Sequence, residues 1–247
     1  MKSILMETIQ LLSSNFKILS MIILTICLPI NIITNYLDFY VLTENDFARS
    51  WKAYIYLDAL LSPIYVGALI YALYNIKLGN STSYSRAMAE GVKSWFNIFT
   101  ARFIAGLLIF LGLLLFIIPG LILMVRYALL DMVVVAEQAG HDLARKRSSE
   151  LTQGRRWEIV LIFIIFMFFI LLLSTIISIP TELFKALDTI YYSILSDCFL
   201  DVVSAFWFIA MFLLYWEAIQ IEGDGIGQEA LLKETESLKT DIPDNKN

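Results

Sequence analysis

The sequence predicts an all-α integral membrane protein, a bundle of about six transmembrane helices, and three observations support this. Apolar residues make up 59% of the 247 residues and charged residues only 17%, whereas a typical globular chain has about a quarter charged residues. The mean hydropathy is +0.73. Several stretches of roughly twenty residues carry no charge or one, which is the length of helix that crosses a hydrocarbon core.

Six apolar segments reach or approach this length. The predicted spans are residues 18–37, 53–76, 103–118, 121–136, 159–179 and 202–221. They form a single predicted membrane domain, residues 1–221. A polar, acidic tail, residues 222–247, follows in the cytoplasm, and we expect it to be mobile, with a short helix around residues 231–238.

Amphipathic helices are predicted beside the spans, because apolar residues recur there at helical spacing. The first is residues 3–17, the second precedes the third span, and the third is residues 181–195 on the outer side. Their predicted apolar faces are Leu5, Ile9, Leu12 and Phe16; Met88, Val92, Trp95, Phe96 and Phe99; and Leu183, Leu187, Ile190, Tyr191 and Ile194.

The pair Pro119-Gly120 decides the topology of the middle of the chain. One interpretation is a single span, residues 103–125, followed by an interfacial helix. The other is a hairpin of two arms of about 24 Å each, which either cross a thinned bilayer or form a re-entrant loop. Only the hairpin keeps the basic connector after residue 136 on the cytoplasmic side, where Lys and Arg are enriched. We therefore favour the hairpin.

The resulting topology places both termini in the cytoplasm. Of the 18 Lys and Arg residues, it puts only Arg49, Lys52 and Lys185 outside, and Arg126 within a span. This asymmetry is typical of cytoplasmic loops in a plasma membrane. The pattern also suggests three stacked helical hairpins, residues 1–78, 79–137 and 138–221.

Three ionisable residues fall at membrane depth, where such groups are costly and often functional. Asp58 and Arg126 are both predicted at roughly 8–9 Å below the outer boundary, so we predict that they form an ion pair. The alternative is that Arg126 extends alone to the interface. Asp131 lies deeper, and it is either a proton- or solute-handling group or a carboxylic acid hydrogen-bonded to a facing polar side chain.

The connector between the fourth and fifth spans is rich in basic residues. It contains Arg145, Lys146, Arg147, Arg155 and Arg156, which could bind anionic lipid headgroups or merely orient the chain in the membrane. Glu137 and Glu217 are predicted at the inner boundary, where each would pair with Arg147, Arg155 or Arg156. Gly154 is predicted to end a short helix at residues 142–152.

The sequence contains no motif for enzyme chemistry. The one histidine, His141, is expected in a loop, and no metalloprotease, nucleophile-elbow or phosphate-loop pattern occurs. We expect no cofactor, no metal site and no nucleic-acid partner. Cys27 falls in a predicted span and Cys198 lies near the start of another, so they imply no disulfide framework.

The stretch from Pro119 to Trp157 nevertheless resembles a known family. Its pattern is Pro119-Gly120, Arg126, Glu137, Ala144, Arg147-Ser148, Leu151-Thr152, Gly154 and Trp157. It is similar to the YciC-type inner-membrane proteins of bacteria and to the membrane domain of some bacterial glycerophosphodiester phosphodiesterases. The resemblance implies a multi-pass protein of the inner membrane. It does not imply hydrolysis, because in those phosphodiesterases a separate soluble barrel carries the catalysis.

Two functions follow from these observations. The first is a non-enzymatic inner-membrane protein, of an uncharacterised family, that acts in lipid or envelope homeostasis through its basic cytoplasmic face. Its partner is the lipid bilayer, with anionic headgroups as ligands. The alternative is a small-solute transporter or channel that uses Asp58, Arg126 and Asp131.

Overall fold

The computed structural model describes residues 2–41, 47–184 and 189–240, with side chains described for 4–41, 53–181, 183–184 and 189–223. The described residues contain helices and no strand. The helices are α1 (Lys2–Ser14), α2 (Phe16–Tyr36, continued by a π-helical turn, Leu37–Val41), α3 (Phe47–Lys77), α4 (Tyr84–Leu115), α5 (Ile117–Arg126), α6 (Leu130–Ala136), α7 (His141–Leu151), α8 (Arg156–Leu183) and α9 (Ile190–Thr240).

Six helical segments are long and apolar enough to cross a membrane, which is the number that the sequence predicts. They are Phe16–Val41, Ala53–Lys77, Tyr84–Leu115, Ile117–Ala136, Arg156–Thr181 and Ile190–Gly223. The fourth segment consists of α5 and α6, which are separated by a turn at residues 127–129.

Helix α9 lies at the centre of the bundle. Every residue from 209 to 215 is buried, and the helix packs against α1, α2, α3 and α8. Helix α8 is the most exposed of the spans: Phe168 is 68% and Leu171 65% exposed. Since α8 has no charge between Glu158 and Glu182, the outer face of that stretch is suited to contact with lipid chains.

Helices α3 and α4 form the most extensive helix pair, and small residues allow their close approach. The Cα of Gly91 in α4 lies against Gly67 in α3, and a Cβ on Gly91 would overlap the Ile64 carbonyl oxygen and lie 2.9 Å from the Ala68 nitrogen. One helical turn further along α4, the Trp95 indole donates a hydrogen bond of 2.6 Å to the Leu60 carbonyl oxygen. Such small-residue contacts are the usual means by which membrane helices pack.

The chain reverses direction between α4 and α5, but at Phe116 rather than at Pro119-Gly120. Phe116 is extended (φ −158°, ψ 143°), and Pro119 and Gly120 lie in the first two turns of α5. Proline is tolerated there, because the first amide groups of a helix have no intrahelical partner. Gly120 serves close packing: its Cα lies against Gly112, and a Cβ on it would lie 2.8 Å from the Leu113 nitrogen.

The third span differs from the prediction. We expected an interfacial helix carrying Met88, Val92 and Phe96, and then a separate arm at residues 103–118. Instead, α4 is one continuous helix from Tyr84 to Leu115. No proline interrupts residues 84–115, and the charge of Arg102 is compensated within the bundle, so it does not force a helix end.

Three other boundaries also differ. The predicted outer helix at residues 181–195 is divided: α8 continues through Pro180 to Leu183, and α9 starts at Ile190, whereas residues 185–188 lie outside the described part of the chain. The Tyr192 hydroxyl donates 2.6 Å to the Ile177 carbonyl oxygen, which joins the two helices. In the predicted tail, α9 continues to Thr240 instead of ending near Glu222.

The buried face of α1 is also shifted from the predicted one. Ile4 and Thr8 are buried, whereas Ile9 is more than half exposed, as is Phe16, which belongs to α2. The Thr8 hydroxyl is satisfied by a 2.8 Å hydrogen bond to the Ile4 carbonyl oxygen, which allows a polar residue on the packed face. Glu7 pairs with Lys77 at the end of α3.

Substitution of Gly91 should destabilise the bundle, whereas the same substitution at Gly106 should not. Both glycines lie in α4 and gain similar helix propensity on change to alanine. Gly91→Ala places a methyl group against backbone atoms of α3, whereas a Cβ at Gly106 would have no atom of another helix within 4 Å. Overpacking typically costs about 1–3 kcal/mol, so we expect Gly91→Ala to lower the Tm of the purified protein.

A thiol-reactive dye provides the readout, because Cys27 and Cys198 are free and buried and react when the bundle unfolds. Equal Tm values for Gly91→Ala and Gly106→Ala would show that α3 and α4 are not in close contact.

Candidate functional site

A partly buried ion pair joins α4 to α6. Arg102 binds Asp131 with two hydrogen bonds, of 2.9 Å from Nε to Oδ1 and 2.7 Å from Nη2 to Oδ2. The Nη1 of Arg102 also donates 3.1 Å to the hydroxyl of Ser62 in α3. The pair therefore ties three helices together, and its two-pronged geometry is the strong form of an arginine–carboxylate contact.

This arrangement replaces the predicted Asp58–Arg126 pair. In the described part of the chain Asp58 and Arg126 form no ion pair with each other. Arg126 instead donates 2.8 Å from Nε to the hydroxyl of Ser149 in α7. The prediction failed because it assigned Arg102 to the inner boundary. Yet Arg102 is the one charged residue between Lys93 and Arg126, which is the signal that could have identified it.

A second polar layer joins α2 to α9. The side-chain amide of Asn31 donates 2.7 Å to Asp201, and that of Asn35 donates 2.7 Å to Asp197. The two asparagines are one helical turn apart, as are the two aspartates, so the pairs stack along one seam. Among the described residues, no group of three or more His, Cys, Asp or Glu side chains is arranged to hold a metal ion.

The short helix α7 docks on the end of α5 through two serines. The Ser148 hydroxyl donates 2.9 Å to the Arg126 carbonyl oxygen, and Ser149 accepts the Arg126 side chain. Ala144, Ser148 and Thr152 are fully buried at helical spacing. Helix α7 begins at His141, which was expected in a loop, and Gly154 has φ +85°, a left-handed conformation that glycine adopts without strain.

Carboxylates that lie outside the connector bind two of its arginines. Arg147 contacts Glu137 at 3.2 Å and Glu222 at 2.8 Å, and Tyr215 donates 3.2 Å to Glu137. The hydrogen bonds to Glu222 and the nearby Glu137 raise the pKa of Arg147 above its ordinary value, so it remains charged. Arg155 contacts Glu217 at 2.8 Å. Glu137 and Glu217 thus contact two of the arginines named for them from the sequence.

The remaining connector cations line a groove of about 700 Å³ between α7, the start of α8 and the end of α5, which we call the basic groove. Its lining includes four basic side chains, two acidic ones, and uncharged residues: Arg126, Arg145, Lys146, Arg156, Asp142, Glu150, Leu108, Tyr127, Ser149 and Gln153. Arg145 pairs with Asp142, and the Nε of Arg145 is buried with no hydrogen-bond partner among the described residues.

The fold and these contacts define a helical protein with six candidate membrane spans, a polar core and a basic groove at the base of α7 and α8. Comparisons of the chain with models of known families, with curated proteins and with solved structures gave no match. The resemblance to the YciC-type proteins therefore stays a hypothesis. Several of the residues that carry it are in contact, since Arg126 bonds Ser148 and Arg147 bonds Glu137.

Removal of either member of the Arg102–Asp131 pair should destabilise the protein. Arg102→Gln and Asp131→Asn each leave the partner charge uncompensated, which costs about 3–5 kcal/mol in a fully buried pair. The cost should be lower here, because the Arg102 side chain is 31% exposed. We expect a double variant to lose less stability than the two single variants together, with a coupling of about 1–3 kcal/mol.

The measurement is a double-mutant cycle on the purified protein, with Asp142→Asn as the control. The Asp142 side chain is 77% exposed, so its loss should change stability by less than about 1 kcal/mol. Additive effects of Arg102→Gln and Asp131→Asn would mean that the pair contributes no coupling.

Proposed function

We propose that this protein is a non-enzymatic, multi-pass protein of the bacterial inner membrane that acts in lipid or envelope homeostasis by binding anionic phospholipid headgroups. The basic groove is the observation that carries the proposal. Four cations face two carboxylates in it, so the groove has an excess of positive charge.

The proposed orientation places the basic groove and both termini in the cytoplasm, with three stacked hairpins crossing the membrane. Two observations support it. Lys and Arg are concentrated in the connector and in the other segments assigned to that side. The reversal at Phe116 brings Asp131 back to Arg102, as a hairpin requires. The inner leaflet is also the leaflet in which anionic lipids attract basic segments.

Lys146→Gln combined with Arg156→Gln should reduce the preference of the purified protein for anionic phospholipid. Both residues are exposed, so the substitutions should not disturb the fold. Each basic side chain near a membrane surface contributes about 1 kcal/mol of attraction to anionic lipid. Native mass spectrometry of the full chain, exposed to equal amounts of phosphatidylglycerol and phosphatidylcholine, would count the lipids that are retained.

The matched control is Arg86→Gln combined with Lys93→Gln, which removes two exposed cations of α4 that do not line the basic groove. It should retain the preference of the unaltered protein. Equal retention of the two lipids by the unaltered protein would refute headgroup recognition. A lipidomic comparison of cells with and without the protein then tests the role in homeostasis.

Transport of a small solute is the second candidate function, and the polar core favours it. Polar side chains of five helices lie within the bundle: the Arg102–Asp131 pair with Ser62, and the two Asn–Asp pairs of α2 and α9. Asp58 lies near enough to Arg102 for a Coulombic interaction. In this version of the transport hypothesis Arg102, instead of Arg126, acts together with Asp58 and Asp131, and the core carries protons or a small polar solute.

Transport predicts that Asp131→Asn and Asp201→Asn abolish a flux that the unaltered protein catalyses in proteoliposomes. Proton entry under an imposed gradient can be measured with an enclosed pH-sensitive dye. Asp142→Asn, on the exposed surface of α7, should retain the flux. If liposomes with and without the unaltered protein acidify at the same rate, proton transport is refuted and headgroup binding is left as the better supported function.

A further inference from the structure

We infer that the basic groove continues into a neighbouring apolar groove, and that together they hold one anionic phospholipid, with its phosphate in the former and an acyl chain in the latter. This inference rests on the proposed function and adds to it a defined site and a single class of ligand. It commits to a lipid of the membrane, not to a soluble phosphate compound.

The apolar groove lies between α5 and α8, with α9 as its floor, and has a volume of about 230 Å³. Its lining is apolar throughout: Leu121, Met124, Val125, Ala128, Ile159, Val160, Phe163 and Trp207. The Trp207 ring at the floor is held by edge and tilted contacts with Phe163 and Phe166, at centroid distances of 5.7 and 5.6 Å. A groove of this lining can accept a hydrocarbon chain but offers no partner to a polar group.

The two grooves border the same two helices. In α8, Arg156 lines the basic groove and Val160, one helical turn later, lines the apolar groove. Residues four apart lie on the same face of a helix, about 6 Å apart. In α5 and its cap, Tyr127 lines the basic groove and Met124 the apolar one. The transition from charged to apolar lining therefore occurs along a single seam.

Charge complementarity selects the headgroup. Arg147 and Arg155 already bind Glu137, Glu222 and Glu217, so they have little capacity for a ligand. Lys146 and Arg156 are exposed and line the basic groove beside Arg126. In the described part of the chain neither Lys146 nor Arg156 has an ion-pair partner. A phospholipid with its phosphate at this end and an acyl chain along α8 would match the basic lining of the one groove and the apolar lining of the other.

The course of the two grooves along α8 also agrees with the direction in which a lipid chain would run. From Arg156 to Phe163, α8 rises by about 10 Å, and exposed residues that follow on the same face, such as Met167 and Leu171, continue this apolar surface. The acyl chain would thus run from the basic end towards the membrane interior. This is the orientation that a lipid of the proposed inner leaflet has.

Quenching of Trp207 by bromine on an acyl chain tests this arrangement, because Trp207 is a lining residue of the apolar groove. The probes are dibrominated phosphatidylglycerol and phosphatidylcholine with identical chains, added at the same mole fraction to the full chain in nanodiscs. The contribution of Trp207 is the difference between the unaltered protein and Trp207→Phe. We expect phosphatidylglycerol to quench Trp207 at several-fold lower mole fraction than phosphatidylcholine.

The Lys146→Gln/Arg156→Gln variant should reduce this selectivity by about fivefold for each charge removed. The charge-conserving Lys146→Arg/Arg156→Lys variant, and the control Arg86→Gln/Lys93→Gln, should retain it. Ala128→Leu fills the apolar groove, so it should abolish the quenching of Trp207 by phosphatidylglycerol.

Equal quenching of Trp207 by the two brominated lipids would overturn the single-site inference. If mass spectrometry still shows a preference for phosphatidylglycerol, the proposed headgroup recognition stands, and only the acyl-chain position is wrong. If both measurements show no preference for the anionic lipid, the proposed function fails together with the inference.

Discussion

The close contact between α3 and α4 at Gly91 is the constraint on which the rest of the bundle depends. In lipid, helices gain little from burying apolar surface, so packing and polar contacts must hold them together. The absence of a side chain at Gly91 allows α4 to lie directly on the α3 backbone. Three turns further along α4, this contact places Arg102 where it reaches both Ser62 and Asp131. The position of α6, and hence of α7, follows from that ion pair.

The number of spans could be predicted from the sequence because it depends on composition alone. The ends of the helices could not be predicted in the same way. A charge such as Arg102 is normally a sign of a boundary, but here Asp131 compensates it inside the bundle, so α4 continues through it. Likewise the break between α4 and α5 lies at the extended residue Phe116, a few residues before Pro119 and Gly120, where the sequence placed the turn.

Some contacts of the candidate polar residues could likewise be predicted from the sequence, and others could not. Glu137 and Glu217 were assigned to connector arginines because they lie close to them at the end of a span, and those contacts are present. The Asp58–Arg126 pair was inferred from equal predicted depth, but depth does not determine which faces of two helices meet. Asn31 and Asn35 were missed, because an uncharged amide in an apolar segment carries no signal until its aspartate partner in α9 is known.

The basic residues of the connector fall into two groups, those bound by carboxylates and those that face the basic groove, and this difference bears on the proposed function. If the connector served only to orient the chain, all of its cations could be equivalent, and their pairing would be incidental. They are not equivalent: Arg147 and Arg155 are bound by carboxylates of α9 and by Glu137, and so fix α7 and α8 against the core. With α7 and α8 held in this way, Lys146 and Arg156 line the basic groove. Basic residues that only orient the chain in a membrane need no groove around them and no apolar groove beside it. A bound phospholipid requires both.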